Sequence, residues 1–502
     1  MRFSLSSALL LFAVSSQAAC LTSTDSTSEG ELASVSASNE VAALTRALDS
    51  VKAEDIKADL YFIASDELQG RDTPSQGLRI AARFVRARLE RLGWQPGASD
   101  GYLYEYSLQN KRIDTQTTRA RLVGEDRTIE LQVGTDYVFS SRGLRYQDRE
   151  EPLVYCGTAS EVEMGDLDLT GKMALVSVSE DGKWWQSSSR VKKAGASELI
   201  WISAAGESDN PFGERWAEWM TDMKTGKTGW PAKRSENPPF TTASLTNARA
   251  TELFELAGFD AERPAAGTEL PVRFHDVRSI DPDSPNIPIE NVAGFWPGGD
   301  PELKNEVIIL SAHYDHVGVS EGEIYNGADD NGSGTCALLA LAEALVENGP
   351  MRRSVMLLWV SGEEKGLLGS RAWAESPWLP EGTRAICNIN IDMVGRNAPD
   401  SLLITPTKDH EKYNQLTKLA ESLRESEGFA ELGSADQYYH RSDHAMFEEH
   451  MGLPVCFLFS DVHEDYHKPT DTVEKVDYDK IRRVTRLVLK MINGLQTDTL
   501  SF

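Results

Sequence analysis

The chain has 502 residues, of which 40% are hydrophobic, which is enough for two or three folded domains with sizeable cores. Its formal net charge of −27 excludes nucleic acids and anionic membrane surfaces as electrostatic partners. A solvated acidic surface explains this charge, and attraction of metal cations or of amine-bearing substrates is compatible with it.

The first 20 residues have the pattern of an export signal. Arg2 precedes an apolar stretch from Leu5 to Val14. Such a stretch suits the hydrophobic region of a signal peptide and is too short to span a bilayer. We therefore predict an exported protein that is periplasmic, an outer-membrane lipoprotein or secreted.

Two ways of processing this signal fit the sequence. Small residues around Ala18 suit an ordinary signal peptidase, whereas Cys20 after two alanines resembles a bacterial lipobox, in which Gln17 stands where leucine is usual. A lipid on Cys20 would be the protein's only attachment to a membrane. Residues 21–40, rich in serine, threonine and glutamate, are predicted to be a flexible linker.

Residues 41–114 begin a folded unit with helices and then strands. Apolar residues recur at helical spacing from Leu78 to Leu92, and Gly93 is a typical helix stop. Residues 115–285 change character, because short β-like runs alternate with turns there. We interpret 115–285 as an inserted β-rich domain without chemistry of its own.

Residues 286–502 alternate between strand-like and helical segments. Strands are predicted at 306–311, 354–361, 386–393 and 454–460, with a helix from Thr335 to Val346. This alternation predicts an α/β fold, a mixed and mostly parallel sheet with helices on both faces. Active residues are then expected at the carboxyl ends of the strands.

Four cysteines remain if Cys20 is lipidated or removed. Export would permit disulfides, but four cysteines allow three pairings and the sequence cannot choose among them. Three of the four lie in apolar runs, which favours small buried side chains. The four are Cys156, Cys336, Cys387 and Cys456.

The pair Glu363-Glu364 is the strongest functional signal. It follows the apolar run Val355–Val360, which is predicted to be a buried strand. Two carboxylates at such a position are unfavourable unless they are paired or bound to metal. A metal-ligand glutamate beside a general-base glutamate would explain both.

Other metal-ligand residue types also follow predicted strands. Two histidines and three carboxylates can hold two Zn²⁺ ions about 3.5–4 Å apart with one carboxylate bridging them, an arrangement suited to hydrolysis. Each residue alone has a structural explanation, and their common position at strand ends favours metal. The residues are His313, Asp315, Asp329, Asp330, Asp392 and His467.

These segments resemble the co-catalytic di-zinc exopeptidases, a family that includes bacterial leucyl aminopeptidases, aminopeptidase Y and glutamate carboxypeptidase. The resemblance rests on five motifs in order, and it extends more weakly to 57–93. The insert, with 167–172 and 193–196, resembles a protease-associated domain. The five motifs are His313-Tyr-Asp315, Gly327-Ala-Asp-Asp-Asn-Gly-Ser-Gly334, Glu363-Glu364-Lys-Gly-Leu-Leu-Gly-Ser370, Asn390-Ile-Asp-Met-Val-Gly395 and Ser442-Asp-His444 with Tyr466-His467.

The resemblance implies a role for each residue. Asp329 would bridge two zinc ions, with His313 and Asp392 on one and Glu364 and His467 on the other. Glu363 would be the general base and Asp315 would orient His313. Tyr466 would stabilise the oxyanion, and a cis peptide bond would join Asp329 to Asp330.

The implied enzyme is a zinc metallopeptidase, most simply an aminopeptidase acting on peptides with a free N-terminus. A carboxypeptidase, a glutaminyl cyclase and a receptor without activity share the fold and stay open as alternatives. The oligomeric state is not indicated by the sequence.

One motif competes with this interpretation. His463-Glu464-Asp465-Tyr466-His467 spells H-E-x-x-H, which binds zinc in other proteases when a helix puts both histidines on one face. Pro469 follows at once, and no amphipathic helix fits there. We therefore predict His467 as the only metal ligand of this string, with His463 and Glu464 at the rim or surface.

Overall fold

The computed structural model describes residues 39–140, 144–178, 184–204, 211, 213–231, 240–259, 263–498 and 500. The predicted signal and nearly all of the predicted linker lie outside these residues. In the described part of the chain, no helix is both long and apolar enough to cross a membrane.

Two large sheets organise the chain. The larger sheet is mixed, and its four central strands, Val455–Phe459, Arg384–Ile391, Glu306–His313 and Ser354–Val360, run parallel. The α/β prediction with a mixed sheet is confirmed. From one edge to the other, the strands are Leu432–Ser434, Leu402–Thr405, Val455–Phe459, Arg384–Ile391, Glu306–His313, Ser354–Val360, Asn286–Trp296, Leu103–Lys111 and Lys227–Gly229, and Gln95–Pro96 pairs with Asn286–Trp296.

Helices cover both faces of the larger sheet, because alternate strand residues point to opposite sides. Ile308 and Leu310 pack into a core with the helices Ala53–Ile63 and Gly334–Asn348. Val307 and Ile309 pack on the other face with Trp373 and Phe447. The helices are 39–50, Ala53–Ile63, Gln76–Leu92, Glu161–Met164, Trp184–Lys193, Gly213–Thr225, Asn247–Leu256, Gly334–Asn348, Leu368–Glu375, Gln415–Leu423, His444–Met451 and Tyr478–Gly494.

The predicted helix from Leu78 to Leu92 is present as Gln76–Leu92, and its ends have local causes. The Ser75 side chain accepts a hydrogen bond from the Leu78 N–H at 3.0 Å, which caps the first turn. Gly93 ends the helix with φ of 79°, a left-handed conformation that favours glycine.

The smaller sheet has its own hydrophobic core. One segment between its strands, Lys227–Gly229, pairs instead with Leu103–Lys111 of the larger sheet. The adjoining Trp230 ring lies 6.0 Å from the Tyr106 ring of that sheet. In order, the strands of the smaller sheet are Thr128–Leu131, Arg119–Val123, Thr268–Arg278, Gln147–Tyr155, Met173–Ser177, Glu198–Ile202, Thr241–Leu245 and Tyr137–Phe139.

The four cysteines of the described chain, Cys156, Cys336, Cys387 and Cys456, are buried free thiols. Burial raises their pKa values, so they remain protonated and inert. The prediction of small buried side chains is confirmed for the three in apolar runs.

Candidate metal centre

Histidines and carboxylates converge at the carboxyl edge of the central parallel strands. His313 is the last residue of its strand, and Asp392 follows Arg384–Ile391 directly. Glu363 and Glu364 come just after Ser354–Val360. The strands are neighbours and parallel, so their ends place these side chains together.

The first group of donors is His313, Asp330 and Asp392, all buried. The Nε2 atom of His313 lies 3.2 Å from Oδ1 of Asp392 and 3.4 Å from Oδ1 of Asp330. The other oxygen of Asp392 accepts a hydrogen bond from the Ser442 hydroxyl at 2.8 Å, which orients the carboxylate.

The second group lies on the other side of Asp330. The Nε2 atom of His467 lies 3.1 Å from Oδ2 of Asp330 and 3.0 Å from Oε2 of Glu364. His316, for which the sequence analysis predicted no role, lies with its Nδ1 atom 2.9 Å from Oε1 of Glu364. Asp330 thus offers one oxygen to each group.

Asp330, and not Asp329, lies between the two groups. The prediction that Asp329 takes the bridging position is therefore wrong. Asp329 faces away: one carboxylate oxygen accepts a hydrogen bond from the Gly395 N–H at 2.6 Å, and the other lies 3.4 Å from His463. The cis peptide bond is also one residue later than predicted, between Asp330 and Asn331.

Asp471 holds the turn that presents these two aspartates. Its carboxylate accepts hydrogen bonds from the main-chain N–H of Asp329 at 3.0 Å and of Asp330 at 3.1 Å. Adjacent side chains of the turn then point in different directions, so Asp330 reaches His313 and His467 whereas Asp329 reaches His463.

Asp315 contacts His313 through its main chain. Nδ1 of His313 lies 3.1 Å from the Asp315 carbonyl oxygen and 3.7 Å from its carboxylate. The carboxylate accepts hydrogen bonds from the Glu363 N–H at 3.2 Å and from the Thr73 hydroxyl at 3.1 Å. Asp315 therefore links the position of His313 to that of Glu363.

Glu363 is half-buried beside both groups and is not a member of either. Burial raises its pKa well above the ordinary value, and the neighbouring Glu364 and Asp443 add to the rise, while His313 opposes it. A carboxyl group with a raised pKa is better suited to hold a proton and pass it on.

A cavity opens beside these residues, with Asp330, Glu363 and Asp392 in one wall. The rest of its lining is largely apolar, together with Arg441 and the ring of Tyr466, which stacks on His467 at a centroid distance of 3.9 Å. The apolar lining residues are Met393, Tyr438, Phe457, Phe459 and Val462.

A buried arginine joins the two loops that carry the donors. The Arg71 guanidinium donates hydrogen bonds to the main-chain oxygens of Tyr314 at 2.9 Å, Asn326 at 2.7 Å and Gly327 at 3.0 Å. It also reaches the carbonyl of Ile63 at 2.5 Å. Sequence reasoning missed Arg71, because no local pattern distinguishes a buried arginine from an exposed one.

The H-E-x-x-H string is not a helix, as predicted, and its residues 464–467 form a turn. Its two histidines face different partners, since His467 contacts Asp330 and His463 contacts Asp329. The His463 side chain is only 2% exposed, so of its two predicted places, the rim of the site or the surface, the surface is wrong.

The donor set fits zinc. Nitrogen and oxygen donors about 2.0–2.2 Å from a tetrahedral Zn²⁺ lie roughly 3.4 Å from one another. The distances from His313 and His467 to their neighbouring carboxylates, 3.0–3.4 Å, are close to this value. The His467 Nε2 and Glu364 Oε1 atoms are buried and have no hydrogen-bond partner among the described residues. A bound cation would satisfy them.

Comparisons with known proteins match the segment that carries the donors. The model of peptidase family M28 matches residues 291–492, the segment that contains all of these donors. A probable leucine aminopeptidase of Arthroderma benhamiae is 30% identical over 211 residues, which are 40% of this chain and 57% of that protein. Aminopeptidase YwaD of Bacillus subtilis is 30% identical over 189 residues, 36% of this chain and 40% of that protein. The matches thus span about half of these relatives.

The fold is that of a solved aminopeptidase. The structure of the aminopeptidase from Aneurinibacillus sp. strain AM-1 is similar with a TM-score of 0.52 at 19% sequence identity, over 90% of this chain and 95% of that chain.

Proposed function

We propose that the chain, whose residues 291–492 match the model of peptidase family M28, is a member of that family and a di-zinc aminopeptidase that removes N-terminal residues from peptides. The observation that carries the proposal is the pair of buried donor groups that share Asp330, with Glu363 beside them. Leucine aminopeptidases among the relatives support the choice of peptides with a free N-terminus.

Four side chains of the resemblance would hold the two metals together with Asp330, which takes the bridging position instead of Asp329. His313 and Asp392 would complete one site, and Glu364 and His467 the other. Zinc in such a site lowers the pKa of water toward neutrality and polarises a carbonyl group.

Glu363 is the proton carrier of the proposed reaction. Its carboxylate takes the proton from the attacking water and then delivers it to the leaving amine. The hydrogen bond from its N–H to Asp315 keeps it beside His313. The raised pKa keeps the protonated form accessible at the second step.

Tyr466 is positioned to donate a hydrogen bond to the oxygen that becomes negative on the substrate. Its ring is half-buried in the cavity and fixed by the stack on His467. Burial raises the pKa of its phenol, so the phenol stays protonated and able to donate.

The apolar side of the cavity indicates which substrates fit. Phe457, Phe459 and Met393 would surround the side chain at the N-terminus of the peptide. Burying an apolar side chain there would favour leucine, methionine or phenylalanine over charged residues.

We also propose that the protein is exported and that residues 115–285 act as an inserted domain. The export signal and the lipid anchor on Cys20 rest on the sequence pattern. The separate sheet and core of the insert support a unit that folds around its own interior.

The experiment that tests the proposal combines zinc analysis with a panel of free-amine and N-blocked peptides. We expect two zinc ions per chain and hydrolysis of the free-amine peptides alone, fastest with an apolar first residue. Cleavage of N-blocked peptides from the carboxyl end would show a carboxypeptidase instead. Less than one zinc per chain, with no hydrolysis after zinc is added, would show a binding protein.

A further inference from the structure

We propose that His316 is a fourth protein donor to the zinc site formed by Asp330, Glu364 and His467. That site would then be closed, and the site of His313 and Asp392 would keep the open position. The inference rests on the proposed function, because it requires zinc at the centre.

The fold holds the His316 ring at this place. Its side chain is fully buried, three residues after His313. Gly327, in the turn that carries Asp330, packs against the ring, and a Cβ atom at this glycine would lie 2.4 Å from Cγ of His316. The imidazole is therefore fixed against the same turn that presents the bridging carboxylate.

In the described part of the chain, the Nδ1 atom of His316 has no polar neighbour within ion-pair distance except two carboxylates. Nδ1 of His316 lies 2.9 Å from Oε1 of Glu364 and 3.7 Å from Oδ2 of Asp330. Neither contact has hydrogen-bond geometry, and both Nδ1 and Oε1 are without a hydrogen bond among the described residues. A buried imidazole and a buried carboxylate oxygen left in this state are costly, and a shared cation would satisfy both.

The carboxylate-facing nitrogen of His316 resembles that of the expected ligand His467. The Nε2 atom of His467 is also buried, close to one oxygen of each carboxylate and without a hydrogen bond in the described structure. The two rings approach Glu364 from different directions, with centroids 5.6 Å apart and planes at 75°. A histidine that served only to orient Glu364 would donate a hydrogen bond to it, and His316 does not.

The two sites would then differ in what they can do. Four protein donors close a zinc site, whereas three leave a position for water or substrate. Among the residues that the structure describes, the His313 site has Asp330 and Asp392 as its other donors. Water and substrate would therefore meet at the His313 site, next to Glu363.

The first test needs no variant. X-ray absorption of the zinc-loaded wild-type protein should count three imidazoles over two zinc ions. Two imidazoles would overturn the proposal while leaving the proposed function intact. A wild-type protein that binds no zinc would instead overturn the proposed function itself.

The second test measures zinc affinity by competition with a chelator in His316→Gln and His316→Ala. Loss of a residue that only orients a ligand costs about 10–100-fold in metal affinity. Loss of a direct ligand should cost more, so we expect the zinc affinity of one of the two sites to fall by more than about 100-fold. Added imidazole should restore zinc binding to His316→Ala, and the cobalt-substituted His316→Gln protein should show an altered absorption spectrum.

A buried histidine outside both groups supplies the control. His444 is fully buried and stacks on Phe457 at 4.6 Å, so His444→Gln disturbs packing to a similar degree. We expect this variant to keep both zinc affinities. An unchanged cobalt spectrum in His316→Gln, or equal losses in the two variants, would show that His316 has only a packing role.

Discussion

Each of the two sheets carries a cluster of buried charge, and the two clusters differ in their balance. In the smaller sheet, Nη2 of Arg278 lies 2.5 Å from Oε1 of Glu198 and 2.6 Å from Oδ2 of Asp276, and Arg149 also pairs with Glu198. Burial raises the pKa of Glu198, but the two arginines outweigh it and hold the pKa below the ordinary value. The negative charges of two carboxylates are thus balanced by the positive charges of two guanidinium groups.

The cluster of the larger sheet has no such balance. The charged neighbours of its carboxylates are histidines. In the described chain no lysine or arginine lies within ion-pair distance of any of the four carboxylates, which are Asp330, Glu363, Glu364 and Asp392. Buried carboxylates in excess require either protons or a cation. A balanced buried cluster is complete as a structural element, whereas an unbalanced one indicates a ligand that is added after folding.

The largest effect should follow from removing the bridging carboxylate. We expect Asp330→Asn to reduce zinc binding at both sites and to lower aminopeptidase activity to background. Asp329→Asn is the matched control, and it should retain both zinc ions and lose about 10–100-fold in activity, as expected for a residue outside the ligand shell. Zinc analysis and rates on a leucyl substrate distinguish them, and the opposite ranking would restore Asp329 as the bridge.

The next effect separates proton transfer from metal binding. Glu363→Gln should lower kcat by about 10²–10⁴-fold, the range for loss of a general base, while the zinc content stays at the wild-type value. Both quantities can be measured on the same preparation. Wild-type kcat in this variant would remove Glu363 from the mechanism.

Breaking the balanced cluster should affect stability and not catalysis. Glu198→Gln leaves Arg278 partly unpaired in a fully buried position, which is expected to cost about 3–5 kcal/mol of unfolding free energy. Denaturant unfolding measures the loss, and kcat of the folded protein should be unchanged. A fall in kcat at full zinc content would show that the insert takes part in catalysis.

The two clusters should contribute differently to the pH dependence of the unfolding free energy of the metal-free protein. Burial lowers the pKa of His313, but Asp392 and Glu363 outweigh it and raise the pKa well above 6.5, and the pKa of Glu363 is also raised. The folded state therefore binds more protons than the unfolded state above pH 6.5. Its stability then falls as pH rises toward 8, by about 1.4 kcal/mol per pH unit for each such proton.

Zinc should remove this dependence, because ligands bind it in their deprotonated forms. Unfolding at pH 6.5 and at about pH 8, with zinc and with a chelator, makes the comparison. If the unfolding free energy of the metal-free protein instead rose between these two pH values, the unbalanced cluster would not be the cause of its pH dependence. Glu198 lies outside this window because its pKa is lowered.

The smallest effect is expected where the two regions touch. The Tyr106 hydroxyl lies 3.1 Å from the Ser361 carbonyl oxygen and 3.0 Å from its hydroxyl, two residues before Glu363, and its ring faces Trp230 of the insert. Tyr106→Phe should cost about 0.5–1.5 kcal/mol of stability, one hydrogen bond. A change in kcat larger than about tenfold would show that this contact positions Glu363.

The sequence by itself determined the fold class and the edge of the sheet where the donors meet. Apolar runs identify strands, and the residue after a strand is at a sheet edge wherever the strand lies. His313, Asp392 and Glu364 were therefore predictable from the residues that precede them. The resemblance to a family added the individual roles, such as the general base for Glu363 and the shared metal site for Glu364 and His467.

Only the tertiary structure decided between Asp329 and Asp330 and brought in His316. In a strand, side-chain direction follows from alternation, but in the turn Ala328–Ser333 it depends on backbone angles that adjacent aspartates do not reveal. Burial of His316 depends on Gly327 and on Glu364, which come from other segments. Contacts between segments distant in the chain are set by packing, so no local pattern contains them.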